Sequence, residues 1–269
     1  MTNRLLLRIA SVLAAAMAPA AARAEAPKAP PATAPAVGPA ERKILQDLEK
    51  AGEKFRTIRA DIDYRVDIRT LGDSEQRTGW VAYQKRDANS PSRFRVTFET
   101  LRQGTGRKIK AQVDYAFDGQ WLTVAKHKIK NMTMYQLAAK GQHIEPLRIG
   151  RGPFPLPFGQ KADDVIEHFA VTTRAPRSGD PKDTVYLRLT ARAKYAKKLP
   201  MERLELWIDR ESHLPVKIKS RDKTRNITTV EFKNVRTNRD VPADVFRIPR
   251  RAGWETIRRP LKAASEVSP

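Results

Sequence analysis

The stretch that decides the fold is residues 113–135, VDYAFDGQWLTVAKHKIKNMTMY. Asp118-Gly119 between two alternating runs is a hairpin signal, because a two-residue type I′ turn needs positive φ at both central positions. Folding about that dipeptide pairs Phe117 with Gln120, Ala116 with Trp121, Tyr115 with Leu122 and Val113 with Val124. One face then carries Val113, Tyr115, Phe117, Leu122 and Val124, and the other carries Trp121. A hairpin with one wholly apolar face needs a cover, from the same chain or from something it binds.

The same period of two extends in both directions. Upstream, DIDYRVDI (61–68) sets Ile62, Tyr64, Val66 and Ile68 against charged residues. TGWVAYQK (78–85) reads as a second strand. RFRVTFE (93–99) reads as a third, with Phe94, Val96 and Phe98 alternating with Arg93, Arg95 and Thr97. Downstream come NMTMYQL (131–137), TVYLRLTARA (184–193), MERLELWID (201–209), LPVKIKSRD (214–222) and NITTVEFKNVR (226–236). Residues 240–255 read as an irregular close with one last short strand. Short neighbouring strands imply an antiparallel sheet.

Two segments break the pattern. In residues 41–60, Ile44, Leu48, Ala51, Phe55 and Ile58 recur at helical spacing, one apolar stripe on a charged helix. Residues 141–170 hold prolines that forbid a central strand, and Gln160 to Phe169 can form a short helix with Val165, Ile166 and Phe169 inward. The sum is an α+β domain of roughly 215 residues, its sheet curling around something.

The N-terminal 24 residues have Arg4 and Arg8 before an apolar run and end in Ala22-Arg23-Ala24, the pattern of a cleaved export signal. Residues 25–40 are an Ala/Pro-rich linker, expected to be an extended tether. The domain is expected over 41–258, with a disordered tail over 259–269. The chain carries a net charge of +22 and no cysteine, which excludes disulfides, thiolate chemistry and a lipidated cysteine anchor. With no later run of 18 apolar residues, a soluble periplasmic protein is expected. The basic surplus is spread along the chain; export argues against nucleic acid, and no motif for it occurs.

Catalytic chemistry is hard to find. His127, His143, His168 and His213 sit in no triad or metal pattern. Asp164 and His168 are four apart on the short helix, but two ligands are too few for a metal. Ser92, Ser178 and Ser212 have no nucleophile-elbow context. No enzyme, metal or cofactor is expected.

The order of elements resembles the LolA family, the periplasmic carriers of outer-membrane lipoproteins. The resemblance spans about Ile44 to Trp254. It rests on LEKAGEKFRTIRADIDYRV, GWVAYQKRDANSPSRFRVTF, FDGQWLTVAKHKIKNMTMYQL and the long C-terminal meander from Leu204 to Glu255. It implies an unclosed antiparallel β half-barrel with helices lidding the concave face, and a cavity there for acyl chains. The implied lining is Tyr64, Val66, Phe94, Val96, Phe98, Val113, Tyr115, Leu122, Val124, Met132 and Met134. Arg86 is the implied lid-control residue, although Asp87 stands where the family has Pro and residues 89–92 look inserted. Phe154, Leu156 and Phe158, alternating around prolines, could plug the cavity or form an entrance flap. The implied function is a carrier, a lipoprotein chaperone in outer-membrane biogenesis. Its expected partners are lipoproteins or lipids, an inner-membrane export transporter and an outer-membrane acceptor, with the protein itself a monomer. The alternative is a periplasmic sensor on the same fold that modulates a membrane-bound stress regulator.

Overall fold

Helix α1 (Pro39–Lys54) opens with proline in its first turn, where a missing N–H leaves nothing unsatisfied. Its apolar stripe buries Leu45 and Leu48, at 1% and 2% exposure. The helix stops at Lys54, and Phe55 is already extended. The helical spacing had carried the stripe on to Ile58; instead Ile58 lies in the first strand. From there Ile58, Ala60 and Ile62 are buried in alternation, which a strand satisfies on one face and a helix cannot. The computed structural model describes residues 37–87, 91–139, 141–142 and 160–261. The expected export signal, residues 25–36 of the expected linker and residues 262–269 of the expected tail lie outside these.

The strands are β1 (Thr57–Ile68), β2 (Asp73–Gln84), β3 (Arg93–Gln103), β4 (Ile109–Phe117), β5 (Trp121–Lys126) and β6 (Asn131–Gln136). After α2 (Ala162–His168) come β7 (Phe169–Arg174), β8 (Thr184–Ala191), α3 (Ala193–Ala196), β9 (Met201–Asp209), β10 (Pro215–Asp222), β11 (Ile227–Thr237) and β12 (Glu255–Arg259). They form one sheet in the order β12-β6-β5-β4-β3-β2-β1-β11-β10-β9-β8-β7. Two meanders are thus joined where β1 pairs with β11. The terminal strands β12 and β7 do not meet, so the sheet is unclosed. A twisted sheet of this width curls rather than staying flat. Every pairing is antiparallel except β12 on β6, which is parallel.

The hairpin of residues 113–135 forms, but in a register two residues from the expected one. Phe117 pairs with Leu122, Ala116 with Thr123, Tyr115 with Val124 and Val113 with Lys126. The cause is local. Asp118 uses its carboxylate to accept the amides of Gln120 (2.9 Å) and Trp121 (2.8 Å), an Asx-type turn that takes two more residues than a type I′ turn. Because the shift is even, every side chain keeps the expected face.

One face of the sheet packs its apolar residues into a single core. From the first half come Ile58, Ile62, Val81, Phe94, Val96, Phe98, Tyr115, Phe117 and Leu122, and from the second Leu187, Leu189, Leu204, Leu206 and Phe232. Leu45 and Leu48 of α1 and Ala162 and Val165 of α2 belong to the same core. This inner face is tightened by Phe94 on Phe117, with ring centroids 5.8 Å apart. At the β2–β3 bulge, a side chain on Gly79 would meet the Thr97 carbonyl oxygen at 1.8 Å, so only glycine lets the strands approach.

Candidate functional site

The inner face gathers most of the expected lining. Phe94, Val96, Phe98, Val113, Tyr115 and Leu122 are buried there, and Tyr64 and Val124 pack partly buried against them. Val66 shares the face through its register with Glu75, two residues along from Tyr64 and Arg77. Met132 and Met134 do not join them. They pair with Ala125 and Thr123, on the face that carries Trp121, so β6 contributes Thr133 and Tyr135 inward instead. The sequence places NMTMY correctly as a strand, but which alternate residues point inward is set by the β5–β6 register, which no local signal fixes.

Arg86 is exposed, with its backbone amide donating to Ser92 Oγ at 3.1 Å. Its neighbour Lys85 is the residue that reaches the helix: Nζ donates to the Gly52 carbonyl at 3.1 Å, in the last turn of α1. Two further polar ties hold this layer. Arg42 bridges to Asp163 of α2 at 2.8 Å, and Glu49 accepts the Ala162 amide at 3.0 Å. Phe154, Leu156 and Phe158 lie outside the described residues. His168 Nδ1 lies 2.7 Å from the Asp164 carbonyl oxygen, so its imidazole is engaged by the helix backbone.

Two cavities flank α1. The larger, about 620 Å³, opens where the C-terminal half of the helix meets the 209–216 turn and β11. Ala51, Phe55, Leu214, Val216, Phe232 and Val235 form its apolar wall, and Lys50 and Lys54 stand among its lining residues. The smaller, about 450 Å³, lies between the N-terminal half of α1 and strands β7 and β8.

A charged pair sits on the inner face that the sequence reading missed. Arg77 lies opposite Tyr64, and Glu75 opposite Val66. Both are buried, at 6% and 8% exposure, and Arg77 Nε donates to Glu75 Oε1. The guanidinium lies 5.9 Å from the Phe98 ring centroid, and the Arg77 Nη1 nitrogen is buried with no hydrogen-bond partner among the described residues. Burial keeps the surrounding phenols neutral: Tyr115 is pushed up to about 12, and Tyr64 higher still. A signal was present. Glu75 and Arg77 fall in phase with Gly79, Val81 and Tyr83, so two charges stand on the apolar set of an alternating run. Starting the strand at Thr78 hid them.

The outer face carries the basic surplus as cation–aromatic contacts. Arg59 and Arg95 flank Trp80 at 5.2 and 5.5 Å, Arg174 covers Tyr186 at 3.7 Å, and Arg258 covers Trp121 at 4.7 Å. Asp114, 1% exposed, organises this side. Its carboxylate accepts from Thr97 (2.6 Å), Arg95 (3.1 Å) and Gln112 (3.2 Å), and lies 2.6 Å from His127 Nε2. Burial pushes the carboxyl up, but Thr97, His127 and Arg95 outweigh it and hold it below the usual range. Arg95 also donates to the carbonyls of Val245 and Arg247, and His127 packs on Trp254 at 5.0 Å. The network thus pins the C-terminal segment across the outer face.

No family model matches the chain, and no curated protein does. Among solved structures, an uncharacterized conserved protein from Thermus thermophilus overlaps with TM-score 0.46 at 11% identity, over 82% of this chain and 99% of that one. The Mycobacterium tuberculosis lipoprotein LppX overlaps with TM-score 0.42 at 12% identity, over 77% and 100%. The complex of MucA and MucB from Pseudomonas aeruginosa overlaps with TM-score 0.41 at 16% identity, over 78% and 61%. The neighbours include members of the LolA-like fold group, the group the sequence resembles.

Proposed function

We propose that the protein is an exported binding protein that takes acyl chains of lipoproteins, or of a related amphiphile, against the inner face of its sheet and carries them through the periplasm. The supporting observation is the apolar face itself, which continues from β4 to β9 and opens at the α1 seam into a cavity of about 620 Å³. Each methylene moved there from water is worth about 0.8 kcal/mol, so a ten-carbon stretch gives on the order of 8 kcal/mol before ordering costs. Helix α1, with α2 beside it, serves as the lid. Among the described residues its polar ties to the rest are few, and exposed bridges such as Arg42–Asp163 contribute at most about 1 kcal/mol each. Displacing it therefore costs chiefly the burial of Leu45, Leu48 and their neighbours, which entering chains replace in kind.

Native mass spectrometry of the protein purified from cells with an outer membrane tests the reading. Co-purifying acyl species that leave on organic extraction are expected. A clean apo mass, together with failure to bind added acyl chains, would refute it.

A further inference from the structure

Resting on that reading, we infer that Arg77 is a polar anchor inside the acyl site, donating through Nη1 to the neutral carbonyl oxygen at the head of an acyl chain, an ester or an amide. Three observations carry this. First, Arg77 is more than nine-tenths buried on an apolar face, between Tyr64 and Phe98, and its Nη1 has no partner among the described residues. A buried charged donor left unsatisfied is costly, and an acceptor arriving with the ligand removes that cost. Second, Tyr64, Val66, Phe98 and Tyr115, the residues around it, are those expected to line the acyl chains, so the donor is placed where a chain's polar end would need one. Third, the charge count selects the acceptor. Glu75 already neutralises Arg77 through Nε. A free carboxylate or phosphate would leave a net buried negative charge, which this surrounding penalises. A carbonyl oxygen brings the lone pairs and no charge. The pair thus accepts acylated molecules and disfavours free fatty acids, and it gives the carbonyl oxygen a donor that hydrophobic packing alone cannot supply.

The test uses the full chain and four probes of one length: methyl decanoate, N-methyldecanamide, decanoate and decane, each displacing a bound apolar fluorophore near pH 7.5. Wild-type protein is expected to bind the ester and the amide at least tenfold more tightly than decanoate. Glu75→Gln, which leaves the guanidinium unneutralised, is expected to reverse that order. The double variant Glu75→Gln/Arg77→Met, which buries no charge, is expected to lose at least tenfold for ester and amide relative to decane. Thermal unfolding of each variant checks that it folds; if the double variant does not, wild-type protein that binds methyl decanoate no better, relative to decane, than partition from water into alkane gives would overturn the anchor. Equal ester affinity in wild type and double variant, or an order that Glu75→Gln leaves unchanged, would overturn the anchor while sparing the carrier reading. Failure of wild-type protein to bind any probe, decane included, would overturn both.

Discussion

Replacing Asp114 with asparagine probes how the outer face holds the C-terminal segment. The side chain is 1% exposed and stands among three donors and one imidazole nitrogen. Asparagine keeps the shape but loses the charge, and its NH₂ group turns one acceptor into a donor facing Arg95 or His127. Breaking a buried ionic pair by removing one partner costs roughly 3–5 kcal/mol, and the isosteric change places this one near the low end, at about 3 kcal/mol. For a domain of this size each kcal/mol moves Tm by about 2–4 °C, so a fall of about 6–12 °C is expected. Urea unfolding followed by circular dichroism gives the free energy. The depressed carboxyl fixes the sign of the pH dependence: its contribution is full above the unfolded-state value of about 3.9 and is lost as pH falls through the lower folded value. The gap between wild type and variant should therefore narrow as pH falls below about 4. Because Arg95 also holds the carbonyls of Val245 and Arg247, hydrogen exchange should speed up in residues 243–259 before it does in β3 or β4. A loss under about 1 kcal/mol with unchanged protection of β12 would refute the network's role.

Other perturbations separate the layers of the fold. Gly79→Ala drives a methyl group into the Thr97 backbone, and a cost of about 3 kcal/mol or failure to fold is expected in urea titrations. A cost near zero would mean the β2–β3 bulge relaxes freely. Leu48→Ala removes a fully buried leucine from the α1 stripe. It should cost about 2–4 kcal/mol in unfolding free energy, and on the lid reading it should speed the release of bound acyl probes in stopped-flow displacement. Unchanged release with full loss of stability would make α1 a fixed structural layer.

The alternation of apolar residues in 61–68, 93–99, 113–124 and 201–209 was legible from the sequence because strand periodicity is a local property of neighbouring side chains. It was enough to give the antiparallel sheet and the apolar face of the opening hairpin. Helix α1 was also legible, except at its end: Phe55 and Ile58 suit the next turn of a helix and the first residues of a strand equally well, and pairing of β1 with β2 and β11 settled the matter. What the sequence could not decide was register and partnership, because these depend on groups far apart along the chain. The Asx turn at Asp118 moved the hairpin by two residues. The β5–β6 register sent Met132 and Met134 outward. The Glu75–Arg77 pair was in phase with the apolar residues of β2, but its place beside Tyr64 and Val66 came from the pairing of β2 with β1. Period fixes which residues share a face; only the tertiary pairing fixes which face is inside and what stands beside it, since each hydrogen-bonded ladder can slide by two without changing its own pattern.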